Sequence, residues 1–142
     1  MSIQPGAPES TDPGPIKLSV LMSFAAIAGP RNIDRLVLPL AQAIDVMIDS
    51  GGFSLRTAEI TGKPCPKHIN LPSYIEACKR FDGKVWGYVQ LDRPLSPKTC
   101  TEMLDVQLDA GVRPIPVWTA NAPESDIPRL LDVAPDGRIS VA

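Results

Sequence analysis

Val46-Met47-Ile48-Asp49-Ser50-Gly51-Gly52-Phe53 reads as a short buried strand that runs out into an acid, a hydroxyl, two glycines and an aromatic ring. A run of apolar residues bounded by turn formers is a strand signal, and its end delivers chemistry. Asp49 can accept N–H donors from a ligand edge, and Gly51 and Gly52 let the backbone approach closely or turn through positive φ. Phe53 offers a face on which a planar ring can stack. The plainer alternative is a tight strand-to-loop turn, with the Asp49 carboxylate satisfied by its own amides.

On either side of this stretch, apolar runs alternate with amphipathic ones. Ile16 to Ile27 is predicted as a first strand, and Gly29-Pro30 breaks it. Ile33, Leu36, Val37, Leu40 and Ala41 share one face of a helix over Ile33 to Ala43, in which Pro39 implies a kink. Leu55 to Ile69, with Gly62, Pro64 and Pro66, reads as an irregular loop reaching over the Asp49 motif. Asn70 is placed to cap a helix that runs to Phe81 on a Tyr74-Ile75-Cys78-Phe81 stripe and stops at Gly83. Val85 to Leu91 is the third strand and ends on Asp92. Ser96-Pro97 opens a helix whose Cys100, Met103, Leu104 and Leu108 form one face up to Gly111. Val112 to Trp118 is a fourth strand interrupted by Pro114 and Pro116. Glu124 to Val133 is a short helix, and a fifth strand begins at Ile139.

This alternation implies right-handed βαβ units and an α/β fold with a parallel sheet over residues 16–142. Met1 to Pro15, with four prolines, is expected to be a disordered tail. Ligands in such sheets bind at the carboxyl ends of strands, where Asp49 and Asp92 both fall. Asp92 could instead cap the following helix, but Ser96 is better placed for that.

With 142 residues, 44% hydrophobic content and a formal net charge of −2, the chain is one domain without the basic stripe of a stand-alone nucleic-acid binder. It carries no apolar run long enough to cross a bilayer and no leader-like N-terminus, so a cytoplasmic location is expected. Cys65, Cys78 and Cys100 are odd in number and widely spaced, which argues against a disulfide framework. Cys65 and His68 could be recruited by zinc, yet a structural site wants four ligands.

Asp49-Ser50-Gly51-Gly52-Phe53, the strand end Leu91-Asp92 and, more loosely, Pro114-Ile115-Pro116-Val117 resemble the tRNA-guanine transglycosylases, including phage-encoded members thought to act on DNA. The resemblance covers roughly Asp45 to Leu131. It implies a (β/α)₈ barrel that exchanges guanine for a 7-deazaguanine base through a covalent sugar intermediate. Asp49 then corresponds to the catalytic acid/base carboxylate, Ser50, Gly51 and Gly52 to the lining of the base site, Phe53 to its stacking wall, and Asp92 to the acid that reads the guanine edge. The family's nucleophile and zinc ligands belong to the second half of the barrel, and no residue here corresponds to them, so no cofactor is assigned to this chain. A full barrel takes about 250 residues. The chain is accordingly expected to be an incomplete barrel, inactive alone, that acts on tRNA or DNA when completed by a second chain or a second copy, in the host cytoplasm if phage-encoded. The alternative is a small flavodoxin-like sheet serving as a ligand-binding or interaction module without chemistry.

Overall fold

The computed structural model describes residues 18–27, 29–93 and 96–142. The expected tail and the first residues of the predicted first strand lie outside them. Strand β1 (Ser19–Ser23) pairs in parallel with β2 (Asp45–Asp49), and β2 pairs in parallel with β3 (Gly87–Tyr88). A parallel bridge from Val89 to Ile115 leads on to β4 (Val117–Trp118), which pairs in parallel with β5 (Ser140–Val141). The fold is therefore α/β with parallel strands. Each strand follows its sequence neighbour, with β2 between β1 and β3, whereas a flavodoxin-like sheet sets β1 between β2 and β3.

Between β1 and β2, a helical rod comprises α1 (Pro30–Asn32), a π-helical stretch (Ile33–Val37) and α2 (Leu38–Ala43). Pro39 explains the wide turn. Its ring has no N–H to offer and crowds the carbonyl four residues back, so the backbone loosens and the Leu38 N–H bonds five residues back to Ile33. The kink expected at Pro39 is thus taken up as a π-turn inside a continuing helix.

Leu55 to Ile69 departs from the expected loop. Helix α3 (Gly52–Thr61) starts directly behind the two glycines, and only the stretch after it is irregular. Its weak periodicity hid it: Phe53 and Ile60, one face of α3, are 76% and 67% exposed, so no apolar stripe marks the helix. Helix α4 (Leu71–Phe81) follows the pattern closely. Asn70 Oδ1 accepts the Ser73 N–H at 2.9 Å, and Tyr74, Ile75, Cys78 and Phe81 are buried. Helix α5 (Pro97–Asp109) and α6 (Ile127–Val133) lie where expected. Strands β3 and β4 are shorter than predicted. In β4, Pro114 and Pro116 remove two ladder donors, leaving the Ile115 bridge and two paired residues.

The register sorts the strands into two faces. Val46, Ile48 and Tyr88 pack with Phe24, Ile33, Val37, Tyr74, Cys78 and Phe81 in the helix-covered core. On the opposite face stand Ser19, Leu21 and Ser23 beside Asp45, Met47 and Asp49. That face is thinly covered, Leu21 being 66% exposed. Tyr74, fully buried, donates its hydroxyl to the Val89 carbonyl and so fastens α4 to the strand that leads to Asp92. Replacing Tyr74 by Phe is expected to strand that carbonyl and lower stability by about 1–3 kcal/mol, read as a reduced urea midpoint at unchanged m-value.

Candidate functional site

Asp49 is the last residue of β2, in register with Ser23 at the end of β1, on the face turned away from the helix core. The chain must then reverse from strand into helix within two residues. Gly51 does this at φ +83°, where a side chain would be strained and its Cβ would come within 3.2 Å of Ile69 Cδ1. The turn uses the motif's polar atoms. Asp49 Oδ2 accepts the Gly51 N–H at 3.2 Å, and Ser50 Oγ accepts the Gly52 N–H at 3.3 Å. Ser50 is buried, and its hydroxyl is spent on the turn rather than presented as cleft lining. The plainer reading of the motif therefore holds for Ser50 and for one oxygen of Asp49.

Gly52, the first residue of α3, meets Asp92. A Cβ at Gly52 would sit 2.5 Å from Asp92 Oδ1 and 2.7 Å from the Asp92 carbonyl oxygen. Only a residue without a side chain lets the acid pass so close. Two motifs forty residues apart in the sequence thus become one piece of structure. Asp92 is 6% exposed. Burial pushes its carboxyl up to about 6, its own backbone N–H pulls the other way, and the charge of Asp49 pushes it up further. The two carboxylates therefore share one electrostatic environment, at the ends of β2 and of the strand continuing from β3.

Phe53 departs from its expected place. It lies in the first turn of α3, largely exposed, so its ring is not a wall of a preformed slot. It stands next to Gly52 at the rim, accessible to a planar group.

Two buried glutamines, absent from the sequence-based site, hold the strand that carries Asp92. Gln90 Nε2 donates to the Cys100 carbonyl at 3.1 Å, and its Oε1 accepts the Val117 N–H at 2.8 Å. Gln107, on α5, accepts the Leu91 N–H at 3.0 Å and donates to the Leu91 carbonyl at 3.0 Å and to that of Met103 at 2.9 Å. The signal was present: Gln107 lies seven residues after Cys100, on the same apolar face of the predicted helix. Beyond Asp92, the Cys100 thiol contacts the Arg93 carbonyl at 3.1 Å, and the Arg93 guanidinium pairs with Glu59 of α3 at 2.8 Å. Helix α3 is thereby tied to the Asp92 strand near its C-terminal end as well as at Gly52.

His68 points its Nε2 at the Phe24 carbonyl, 2.8 Å away, with its ring edge-on to Phe24. Among the described residues, no three His, Cys, Asp or Glu side chains gather in a metal-binding cluster. A groove of about 340 Å³ lies between α1 and α4, lined by Phe24, Ile33, His68, Pro72 and Ala77. Neither carboxylate lines it. No protein-family model matches this chain, and no curated protein or solved structure matches it either.

Two outcomes are expected from this geometry. Gly52→Ala must push Asp92 or α3 aside and is expected to cost about 1–3 kcal/mol, seen as a lowered thermal midpoint. Asp92→Asn is expected to stabilise the protein at neutral pH. Because the folded-state carboxyl titrates near 6 and the unfolded one near 3.8, wild-type stability falls as pH rises between those values, on the order of 2–3 kcal/mol in all. The advantage of the Asn variant should therefore be full above pH 7 and vanish below about pH 4 in chemical denaturation series.

Proposed function

We propose that this chain supplies the base-binding side of a guanine transglycosylase-type site built on an arc of a (β/α)₈ barrel. The observation that carries the reading is the close packing of Asp92 on Gly52, which joins the two motifs of the family resemblance, Asp49-Ser50-Gly51-Gly52-Phe53 and Leu91-Asp92, at one rim. Sequential parallel strands and a thinly covered sheet face bearing Leu21 support the barrel arc, since parallel sheets are buried on both sides.

In this reading the Asp92 carboxylate accepts the ring N–H and the exocyclic N–H of guanine through its two oxygens. Adenine presents an acceptor at the ring position and is refused. Asp49 keeps one oxygen outside the Gly51 turn and serves as the acid/base carboxylate for the base that leaves or enters. Phe53 closes onto the base by stacking, worth about 1–3 kcal/mol. The polymer, tRNA or DNA, must first release its base from the helical stack. The carboxylate nucleophile that would hold the sugar is assigned to no residue of this chain, so the chain binds the base without exchanging it until a partner chain or second copy completes the barrel.

A non-catalytic ligand-binding module is the second reading, and the apolar groove beside His68, which neither acid lines, is the observation that favours it. Calorimetric titration separates the two. Guanine and a 7-deazaguanine base are expected to bind wild type at pH 7.5, with affinity at least tenfold weaker in Asp92→Asn. The same affinity should fall as pH drops through about 6, where Asp92 gains a proton and loses an acceptor. Equal binding by wild type and Asp92→Asn removes the base-reading role. Radiolabelled guanine exchange into tRNA or DNA by this chain alone is expected to be undetectable, and turnover would place a nucleophile among its own residues.

A further inference from the structure

The backbone ladder along the strand that carries Asp92 stops early. The last main-chain bond to the neighbouring strand runs from the Gln90 N–H to the Ile115 carbonyl, at 2.9 Å. Leu91, one residue short of the acid, then pairs with a side chain instead. The Gln107 amide takes both of its main-chain groups, the N–H on Oε1 and the carbonyl on Nε2, each at 3.0 Å. A primary amide offers the same donor and acceptor as a peptide unit, so Gln107 stands in for a missing strand.

The clamp is anchored from behind. Gln107 is fully buried, and its second amide hydrogen is held by the Met103 carbonyl one turn earlier on α5, at 2.9 Å. The amide cannot swing without breaking all three bonds. It therefore holds the peptide units on both sides of Leu91, the first by its N–H and the one leading into Asp92 by its carbonyl. That peptide contains the Asp92 N–H which faces the Asp92 carboxyl, and the side chain leaves the next atom along, against the Gly52 backbone.

We propose that Gln107 is the positioning residue of the base-reading carboxylate: its two hydrogen bonds to Leu91, one to the peptide unit on each side, fix where Asp92 presents its oxygens. The proposal rests on the base-binding reading of Asp92. Gln107 itself touches no ligand. Its effect passes through the Leu91 peptide alone, which separates it from the apolar residues of α5 that merely hold the helix down.

The test compares Gln107→Met, similar in length but without the amide, with Leu104→Ala, which opens a cavity in the same buried face of α5 and leaves the amide in place. The first readout needs no ligand: the ¹³C carboxyl titration of Asp92 by NMR, with Asp49, the facing acid, followed in the same spectra. With the clamp gone the carboxyl gains access to water, and its midpoint is expected to fall by about one pH unit toward the ordinary carboxylate range in Gln107→Met and to stay in place in Leu104→Ala. The second readout is guanine titration at pH 7.5, expected to weaken at least tenfold in Gln107→Met and less than threefold in Leu104→Ala. Should Gln107→Met fail to fold, Gln107→Asn, whose shorter amide cannot reach both Leu91 atoms, is read in the same way. An unmoved Asp92 midpoint in the Gln107 variant, or an equal shift in Leu104→Ala, overturns the positioning role. If wild type takes no guanine while the midpoint moves only in the Gln107 variant, the clamp stands and the base-binding reading falls.

Discussion

At the contact between Gly52 and Asp92, an acid sits where any other residue would place its Cβ. That steric allowance dictates much of its surroundings. The end of β2 must lie beside the strand continuing from β3, which the parallel pairing of Met47 with Gly87 and Ile48 with Tyr88 provides. Helix α3 must begin at once, which the left-handed turn at Gly51 permits. The strand bearing Asp92 must then be held without a ladder partner, and the Gln90 and Gln107 amides do so. Each feature would be idle without the others.

The same contact has an electrostatic cost. Asp92 is almost wholly withdrawn from water beside a second acid, and no described cation pairs with it, the nearby Arg93 being engaged by Glu59. An isolated protein gains nothing from such an arrangement, because a charge without a partner is disfavoured in a low-dielectric site. In the base-binding reading, the N–H donors of a ligand would offset that cost.

The sheet carries a second asymmetry. Val46, Ile48 and Tyr88 are sealed under helices, while Leu21 on the opposite face is mostly in contact with solvent. Parallel sheets are normally covered on both sides because their connections lay helices across them. Asp49 stands at the rim of that thinly covered face. The site and the uncovered surface are therefore continuous through the register of β1 on β2.

Local chemistry made much of this legible in the residues themselves. The Asn70 cap, the Tyr74-Ile75-Cys78-Phe81 stripe, the start of α5 at Pro97 and the delivery of Asp49 at the end of β2 all follow from preferences that act within a few residues. Helix α3 was hidden because its stability comes from contacts outside itself, Gly52 on Asp92 and Glu59 on Arg93, while Phe53 and Ile60 face outward and blur its pattern. Ser50 was misplaced for a related reason: whether a hydroxyl lines a cleft or closes its own turn depends on where the next amide points. Beyond its place on an apolar face, Gln107 carries no local signal of its role, since only a neighbouring strand that lacks its ladder gives a buried amide its use. By itself the sequence determined most element types, their order and the acid at the end of β2, because those depend on short-range preference. Which glycine admits which acid, and which side chain replaces a missing strand, depends on atoms brought together from distant parts of the chain, and only the tertiary structure decided it.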